Sequence, residues 1–172
     1  MLDGHPSTGF EEGLVPMADG QPLRRPNGRT MQSAADGIAI SPDGATLYWQ
    51  ALTGRTLFSI PTAALRDARL SSDRLGAQVR RVGGTHVADG LWIDAAGRFY
   101  VTNPEKNAVE MTPAPGQPLS VLVRDARLRW PDTFAQGPDG ALFVTTSHIQ
   151  DSQWFKPVAK ATPSEVWRIV PV

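Results

Sequence analysis

A short pattern that occurs three times along the chain constrains its fold more than any other feature of the sequence. The copies occupy residues 35–49, 88–102 and 131–145. Each copy has an aspartate near its start, a short apolar run, a turn that ends in glycine, and a second run rich in β-branched and aromatic residues. Two such runs joined by a glycine-containing turn are typical of a β-hairpin. The sequence therefore predicts three related hairpins.

The spacing of the copies indicates the architecture. They recur at intervals of roughly 40 to 50 residues, which is the repeat length of propeller blades with four short strands each. We therefore expect an all-β fold in which residues 1–172 form a partial propeller of about three blades. The expected blades lie near 36–83, 89–124 and 132–172, after a turn-rich N-terminal segment over 1–34. Strands are expected near 37–41, 46–50, 56–60, 79–82, 90–94, 98–102, 107–112, 118–123, 133–136, 141–146 and 165–170.

The first interval between copies is longer because it holds a helical insert near 62–79. Residues 63–67 lose the two-residue alternation of a strand. Ser71 is a good N-cap residue, and Asp73 places an acid in the first turn that would follow it. We expect two short helices between the third and fourth strands of the first blade.

The charge balance and the absence of cysteine exclude several classes of protein. The chain carries 17 Lys and Arg against 17 Asp and Glu, so no net field directs it to nucleic acid or to an acidic membrane surface. Because there is no cysteine, disulfides and thiolate sites are excluded. No apolar run approaches the ~20 residues of a membrane span, and residues 1–6 lack the features of a signal peptide. We expect a soluble chain with neither nucleic-acid nor membrane partners.

The aspartates of the repeat are expected to meet at one mouth of the propeller channel. The first strand of a blade lines the channel, and the hairpin returns the chain to the same end. The expected neighbours are Asp36 with Gln50, Asp89 with Asn103, and Asp132 with His148. Hard divalent ions such as calcium favour carboxylate oxygens, so this mouth is a candidate site for a cation or a polar small molecule. The alternative is that each aspartate only bonds its own backbone in a turn that joins two blades.

Two other side chains near this mouth have both a functional and a structural interpretation. His148 lies beside a carboxylate and could act as a general acid or base, or it could be a solvated loop histidine. Trp154 and Phe155 form an aromatic pair in a long loop. That pair either covers the mouth or packs the loop down.

Seven segments distributed over the chain carry a specific resemblance. They are residues 2–8 (LDGHPST), 35–44 (ADGIAISPDG), 52–55 (LTGR), 60–62 (IPT), 87–90 (VADG), 129–132 (RWPD) and 147–150 (SHIQ). Together they resemble the bacterial branch of the yellow and major royal jelly protein family, which is described as related to L-dopachrome tautomerase. That family is similar in plan to the six-bladed gluconolactonase and senescence marker protein propellers. The resemblance implies that this chain is a fragment, the C-terminal half of such a propeller.

The resemblance also implies a metal site. Gluconolactonases hold a divalent metal through a Glu of the first blade, an Asn and an Asp. Here Asp36 matches the Asn position and Asp89 matches the Asp position, while the Glu has no counterpart. Calcium or zinc held by Asp36 and Asp89 is therefore implied, with Asp89 and His148 as candidate catalytic residues. The candidate ligand-binding residues are Asp36, Asp132, Asn103, Gln50 and Trp154.

The implied function is the binding of a small molecule. Lactone hydrolysis and dopachrome tautomerisation are the candidate reactions. The alternatives are a non-catalytic carrier of aromatic amines and a scaffold that binds proteins on its rim. Full-length relatives are often secreted or periplasmic, and the compartment of this chain stays open.

An arc of three blades also predicts partners. Its two end faces have no neighbouring blade, so we expect two exposed apolar faces, each larger than soluble monomers tolerate. The third blade lacks an outer strand and leaves an open edge. We expect the chain to pair with a missing N-terminal half-propeller, which we favour, or to form a homodimer, or to aggregate.

Overall fold

A computed structural model describes residues 2–160 and 162–170. These residues form an all-β fold with two short α-helices, which confirms the predicted fold class. In this described part of the chain no helix is long and apolar enough to cross a membrane.

The first two strands of the chain, β1 (Met17–Ala18) and β2 (Gln21–Pro22), form a small hairpin. The turn residues Asp19 and Gly20 have φ angles of 51° and 75°. Two consecutive positive φ angles are typical of the type I′ turn that matches the twist of paired strands. We call residues 17–22 the N-terminal hairpin.

Three larger antiparallel sheets each contain one copy of the repeat. The described strands pair in the orders β3-β4-β5-β6, β7-β8-β9-β10 and β11-β12-β13, which we call the first, second and third sheets. Their bounds are β3 (Ala35–Ile40), β4 (Thr46–Ala51), β5 (Thr56–Pro61), β6 (Arg80–Gly84), β7 (Leu91–Ile93), β8 (Phe99–Asn103), β9 (Ala108–Thr112), β10 (Ser120–Arg124), β11 (Pro131–Gln136), β12 (Leu142–Thr146) and β13 (Glu165–Ile169). The predicted strands agree with these bounds to within a few residues, and β13 is the expected open edge.

Two short α-helices, α1 (Thr62–Arg66) and α2 (Ser72–Gly76), lie between β5 and β6. The Ser71 Oγ accepts a hydrogen bond from the Arg74 backbone N–H at 3.4 Å, so the predicted N-cap is confirmed. Two 3₁₀ helices, Pro6–Thr8 and Ile149–Asp151, complete the helical structure of the described residues.

The first strands of the three sheets lie side by side: β3 contacts β7, and β11 contacts both β7 and β8. A Cβ added to Gly37 would lie 2.5 Å from the Asp89 carbonyl oxygen, and one added to Gly90 would lie 1.8 Å from that of Asp132. No side chain fits at such distances. Glycine therefore follows the aspartate in the first two copies because the neighbouring backbone occupies that space.

Apolar side chains fill the spaces between the sheets. Those between the first and second sheets include Ala39, Leu57, Leu91, Phe99 and Val101. Those between the second and third sheets include Tyr100, Val109, Phe134, Leu142 and Val144. Each sheet thus buries one or both faces against a neighbour, as blades do.

The expectation of two bare apolar end faces is wrong for most of the first sheet. Its outer face carries Trp49 and Ile60, which are buried beneath residues 2–9 and the two α-helices. Ile38 and Ile40 stay exposed, at 59% and 48%. Residues 2–9 and the two α-helices thus cover much of the surface that a preceding blade would cover.

Candidate functional site

The aspartates of the repeat lie near the start of the first strand of each sheet, Asp36 and Asp132 inside it and Asp89 two residues before it. The pairing register shifts around Asp36 in β3 and around Asp132 in β11. In the second sheet the backbone N–H groups of Asp89 and Gly90 both donate to Thr102 Oγ1, at 3.1 and 2.9 Å. Such bulges commonly redirect a side chain beside an active site. We call Asp36, Asp89 and Asp132 the mouth aspartates.

Asp89 is the most buried of the mouth aspartates. It is 9% exposed, and its Oδ2 accepts a hydrogen bond from the Trp130 indole at 2.7 Å. Burial, followed by the nearby charge of Asp132, raises the pKa of the Asp89 carboxyl from 3.8 to about 7, while the Trp130 bond opposes the rise. A carboxyl with a pKa near neutrality can both accept and donate a proton at physiological pH.

The other two mouth aspartates are more accessible. Asp36 is exposed and Asp132 is half-buried. Thr133 Oγ1 donates to Asp132 Oδ1 at 2.8 Å. Partial burial and the charge of Asp132 raise the pKa of Asp36. The three carboxylates are therefore close enough to repel one another, and the mouth is acidic.

An apolar cluster lies directly beneath this site, and we call it the mouth core. Its buried members are Leu14, Leu23, Met31, Leu52, Val87, Trp130 and Phe155. Leu14, Leu23 and Met31 come from the N-terminal segment, for which the sequence offered no partner. The N-terminal segment therefore packs on the mouth.

Arg129 ties this segment to the loop after β12. Its guanidinium donates to both carboxylate oxygens of Asp19, each at 2.9 Å, and to those of Asp151 at 2.7 and 3.2 Å. Lys156 also bonds Asp151. Forked pairs of this kind fix orientation as well as distance.

The loop after β12 forms an open cavity of about 410 Å³, lined in part by His148, Trp154 and Lys160. His148 is buried with a φ of 52°, and its Nε2 lies 3.3 Å from Thr146 Oγ1. Trp154 is 61% exposed, and the Arg25 guanidinium lies 5.8 Å from its ring centre. The mouth aspartates are not among the residues that line this cavity.

The family model of the major royal jelly proteins matches residues 17–137. The chain belongs to the major royal jelly protein family. The matched segment contains the N-terminal hairpin and all three mouth aspartates, and it confirms the resemblance read from the sequence. None of the curated proteins matches the chain.

Solved structures show the fold of this family member. The chain superposes on a gluconolactonase from Xanthomonas campestris with a TM-score of 0.58 and 18% identity, covering 96% of this chain and 56% of that one. A luciferin-regenerating enzyme gives a TM-score of 0.54 and 18% identity, covering 85% of this chain and 49% of that one. The chain thus has a propeller-type fold and spans about half the length of these proteins.

Two predicted ligand-binding residues of this royal jelly family member form internal hydrogen bonds. The Gln50 amide donates to the carbonyls of Gly54 and His86 and accepts from Thr85 Oγ1 at 2.7 Å. The Asn103 amide donates to Glu110 Oε1 at 2.8 Å and accepts from the Lys106 N–H at 3.1 Å. Both residues are fully buried. They hold loops near the mouth, and ligand contact by either stays a prediction.

The two aromatic residues of the long loop, Trp154 and Phe155, have different environments. Phe155 is 9% exposed and belongs to the mouth core, so it packs the loop down. Trp154 lies at the surface beside the cavity and is accessible to a ligand. His148 is 9% exposed and lines the cavity, and a catalytic role for it stays a prediction.

The described part of this family member does not supply a full set of metal-ligating side chains for a divalent ion. No group of three His, Cys, Asp or Glu residues there is arranged to hold an ion. Asp89 also commits Oδ2 to the Trp130 indole. Asp36 and Asp89 therefore do not form a metal centre together with other described residues.

Proposed function

We propose that this royal jelly family chain belongs to a small-molecule enzyme in which Asp89 transfers a proton, with lactone hydrolysis as the reaction that the site supports best. The observation that carries the proposal is a buried carboxyl that is oriented by an indole N–H and lies near two other carboxylates. Its pKa of about 7 suits proton transfer at neutral pH. Because the chain spans about half of its structural relatives, the assembled protein is the proposed catalyst.

The two oxygens of Asp89 have different environments. Oδ2 accepts the indole hydrogen bond, which is the one hydrogen bond to the Asp89 carboxyl among the described residues. In the proposed reaction Oδ1 accepts a proton from a water molecule as the water oxygen attacks the lactone carbonyl carbon. The carbon to ring-oxygen bond then breaks, and Asp89 returns the proton to the departing oxygen. The products are a hydroxy acid and an unchanged Asp89 carboxylate.

The charge of the mouth favours a neutral substrate over an anionic one. Asp36 and Asp132 lie close enough to Asp89 to raise its pKa. They would repel the carboxylate of dopachrome but not an uncharged lactone. The same charge favours a second candidate function, the binding of an aromatic amine without turnover, because an ammonium group is attracted to three carboxylates.

The proposal includes a calcium or zinc ion for which the described residues supply only part of the ligands. Asp36 and Asp89 would each supply carboxylate oxygen, and the remaining ligands would come from outside the described residues. Such an ion would polarise the lactone carbonyl.

Assembly is also part of the proposal. Ile38 and Ile40 stay exposed on the first sheet, and Val166 is 70% exposed on β13. An N-terminal half-propeller or a second copy of the chain would cover these surfaces and complete the channel. The partner would also supply the missing side of the mouth.

The test is lactone hydrolysis by the full chain in its native assembly, with and without added calcium or zinc. Asp89→Asn should lower kcat/KM by about a hundredfold or more, the usual contribution of a general base. Asp73→Asn is the matched control, because Asp73 is exposed on α2 and distant in sequence from the repeat. Equal activity of the two variants would refute the role of Asp89. Saturable amine binding without lactone turnover would support the carrier.

A further inference from the structure

We infer that Trp130 is a positioning residue that holds Asp89 through its indole N–H; this inference rests on the proposed function. Trp130 Nε1 and Asp89 Oδ2 are 2.7 Å apart, at the short end of the range for N–H donors. A hydrogen bond to an ionised acceptor is shorter and stronger than a neutral one. The indole thereby fixes one oxygen and leaves the other to face the reaction.

The backbone of Trp130 adopts a conformation that large side chains rarely adopt. Its φ is 54°, in the left-handed region that is uncommon for residues other than glycine. It also precedes Pro131, which disfavours helical angles in the residue before it. Residues held in such conformations persist where the surroundings fix them, and they are frequent at functional sites.

Two contacts account for that conformation. The Trp130 carbonyl accepts a hydrogen bond from the Ser147 backbone N–H at 3.1 Å. The preceding residue, Arg129, is held on both sides by Asp19 and Asp151. The N-terminal hairpin and the loop after β12 therefore fix the direction in which the indole leaves the chain.

The ring is isolated from water. Trp130 is 1% exposed, and its neighbours in the mouth core include Leu52, Val87 and Phe155. A hydrogen bond in such low-dielectric surroundings is stronger than the same bond in water. Simple core packing requires only the ring, whereas the inferred role requires its N–H.

The chain offers a matched control for separating these two roles. Trp49 is also buried, at 5%, and its indole N–H donates to the Ser7 carbonyl at 2.9 Å. Tryptophan-to-phenylalanine substitution at either position keeps an aromatic ring and removes one buried hydrogen-bond donor. Only the substitution at 130 removes a donor to Asp89.

The experiment measures lactone hydrolysis by Trp130→Phe and Trp49→Phe. Trp130→Phe should lower kcat about ten- to a hundredfold, the usual loss when an orienting partner is removed, with little change in KM. In the Asp89→Asn background the same substitution should have no further effect on kcat. The inference would be overturned if Trp130→Phe and Trp49→Phe lost kcat equally. The proposed function would stay intact in that case if Asp89→Asn still showed its large loss of activity.

A spectroscopic measurement tests the contact without activity and without an unstable variant. The indole ¹⁵N–¹H resonances of the full-length protein are compared with those of Asp89→Asn. The Trp130 resonance should move upfield while the Trp49 resonance stays in place. An unmoved Trp130 resonance would overturn the inference, whether or not the protein hydrolyses lactones.

Discussion

Replacing Asp89 with asparagine should stabilise the protein at alkaline pH and leave its stability nearly unchanged in acid. The folded state raises the pKa of Asp89 from 3.8 to about 7 through burial. The folded chain therefore keeps a proton that the unfolded chain has already released, so raising the pH through this window favours unfolding. Asparagine has no proton to release, and its carbonyl oxygen can still accept the Trp130 hydrogen bond.

The magnitude follows from the size of the pKa shift. One pKa unit corresponds to 1.36 kcal/mol, so a rise from 3.8 to about 7 lowers the stability of the wild-type chain by about 4 kcal/mol once Asp89 is ionised. The loss is absent below the unfolded pKa and complete above the folded one. Asp89→Asn should thus exceed the wild type by about 4 kcal/mol near pH 8 and by less than about 1 kcal/mol near pH 4.

Urea unfolding followed by tryptophan fluorescence gives the free energy of unfolding of both proteins across this pH range. Other titrating groups, including Asp36, occur in both proteins and cancel to first order in the difference. The reasoning is refuted if the difference between Asp89→Asn and the wild type does not change with pH, or if it grows toward acid.

Two other outcomes are expected. Gly90→Ala should lower the free energy of unfolding by about 1 to 3 kcal/mol or more, because the new Cβ would lie 1.8 Å from the Asp132 carbonyl oxygen. Gly9→Ala is the control, and it should be almost neutral in the same unfolding assay because the nearest atom to its Cβ would be 3.7 Å away. The full chain should scatter light as a dimer or larger species, or bind an apolar dye at its exposed surface; a dilution-resistant monomer without dye binding would contradict the proposed assembly.

The repeat allowed most of the fold to be predicted. Alternating apolar residues, the turns that end in glycine and the Ser71 N-cap all act locally, and the structure follows them closely. The mouth aspartates were predictable because they occupy equivalent positions in the three copies of the repeat. The charges of these three carboxylates do affect one another.

The rest depends on contacts between distant segments. Leu14, Leu23 and Met31 follow no periodic pattern, so their place in the mouth core was invisible in the sequence. The link from Trp130 to Asp89 depends on a left-handed backbone angle that tertiary contacts impose. The Arg-Trp-Pro-Asp segment at 129–132 contributes to the family resemblance, but its sequence alone does not indicate this link.

The close approach of the first strands has a consequence for how such sequences can diverge. At Gly37 and Gly90 the strands meet main chain to main chain, so the radii of backbone atoms fix the spacing of the mouth carboxylates. Side chains also lie close to these points, because a Cβ built at Gly37 would lie 2.9 Å from the Leu91 side chain and one built at Gly90 would lie 3.1 Å from the Thr102 side chain. Substitutions that leave these contacts unchanged can therefore accumulate with little effect on the spacing of the mouth aspartates.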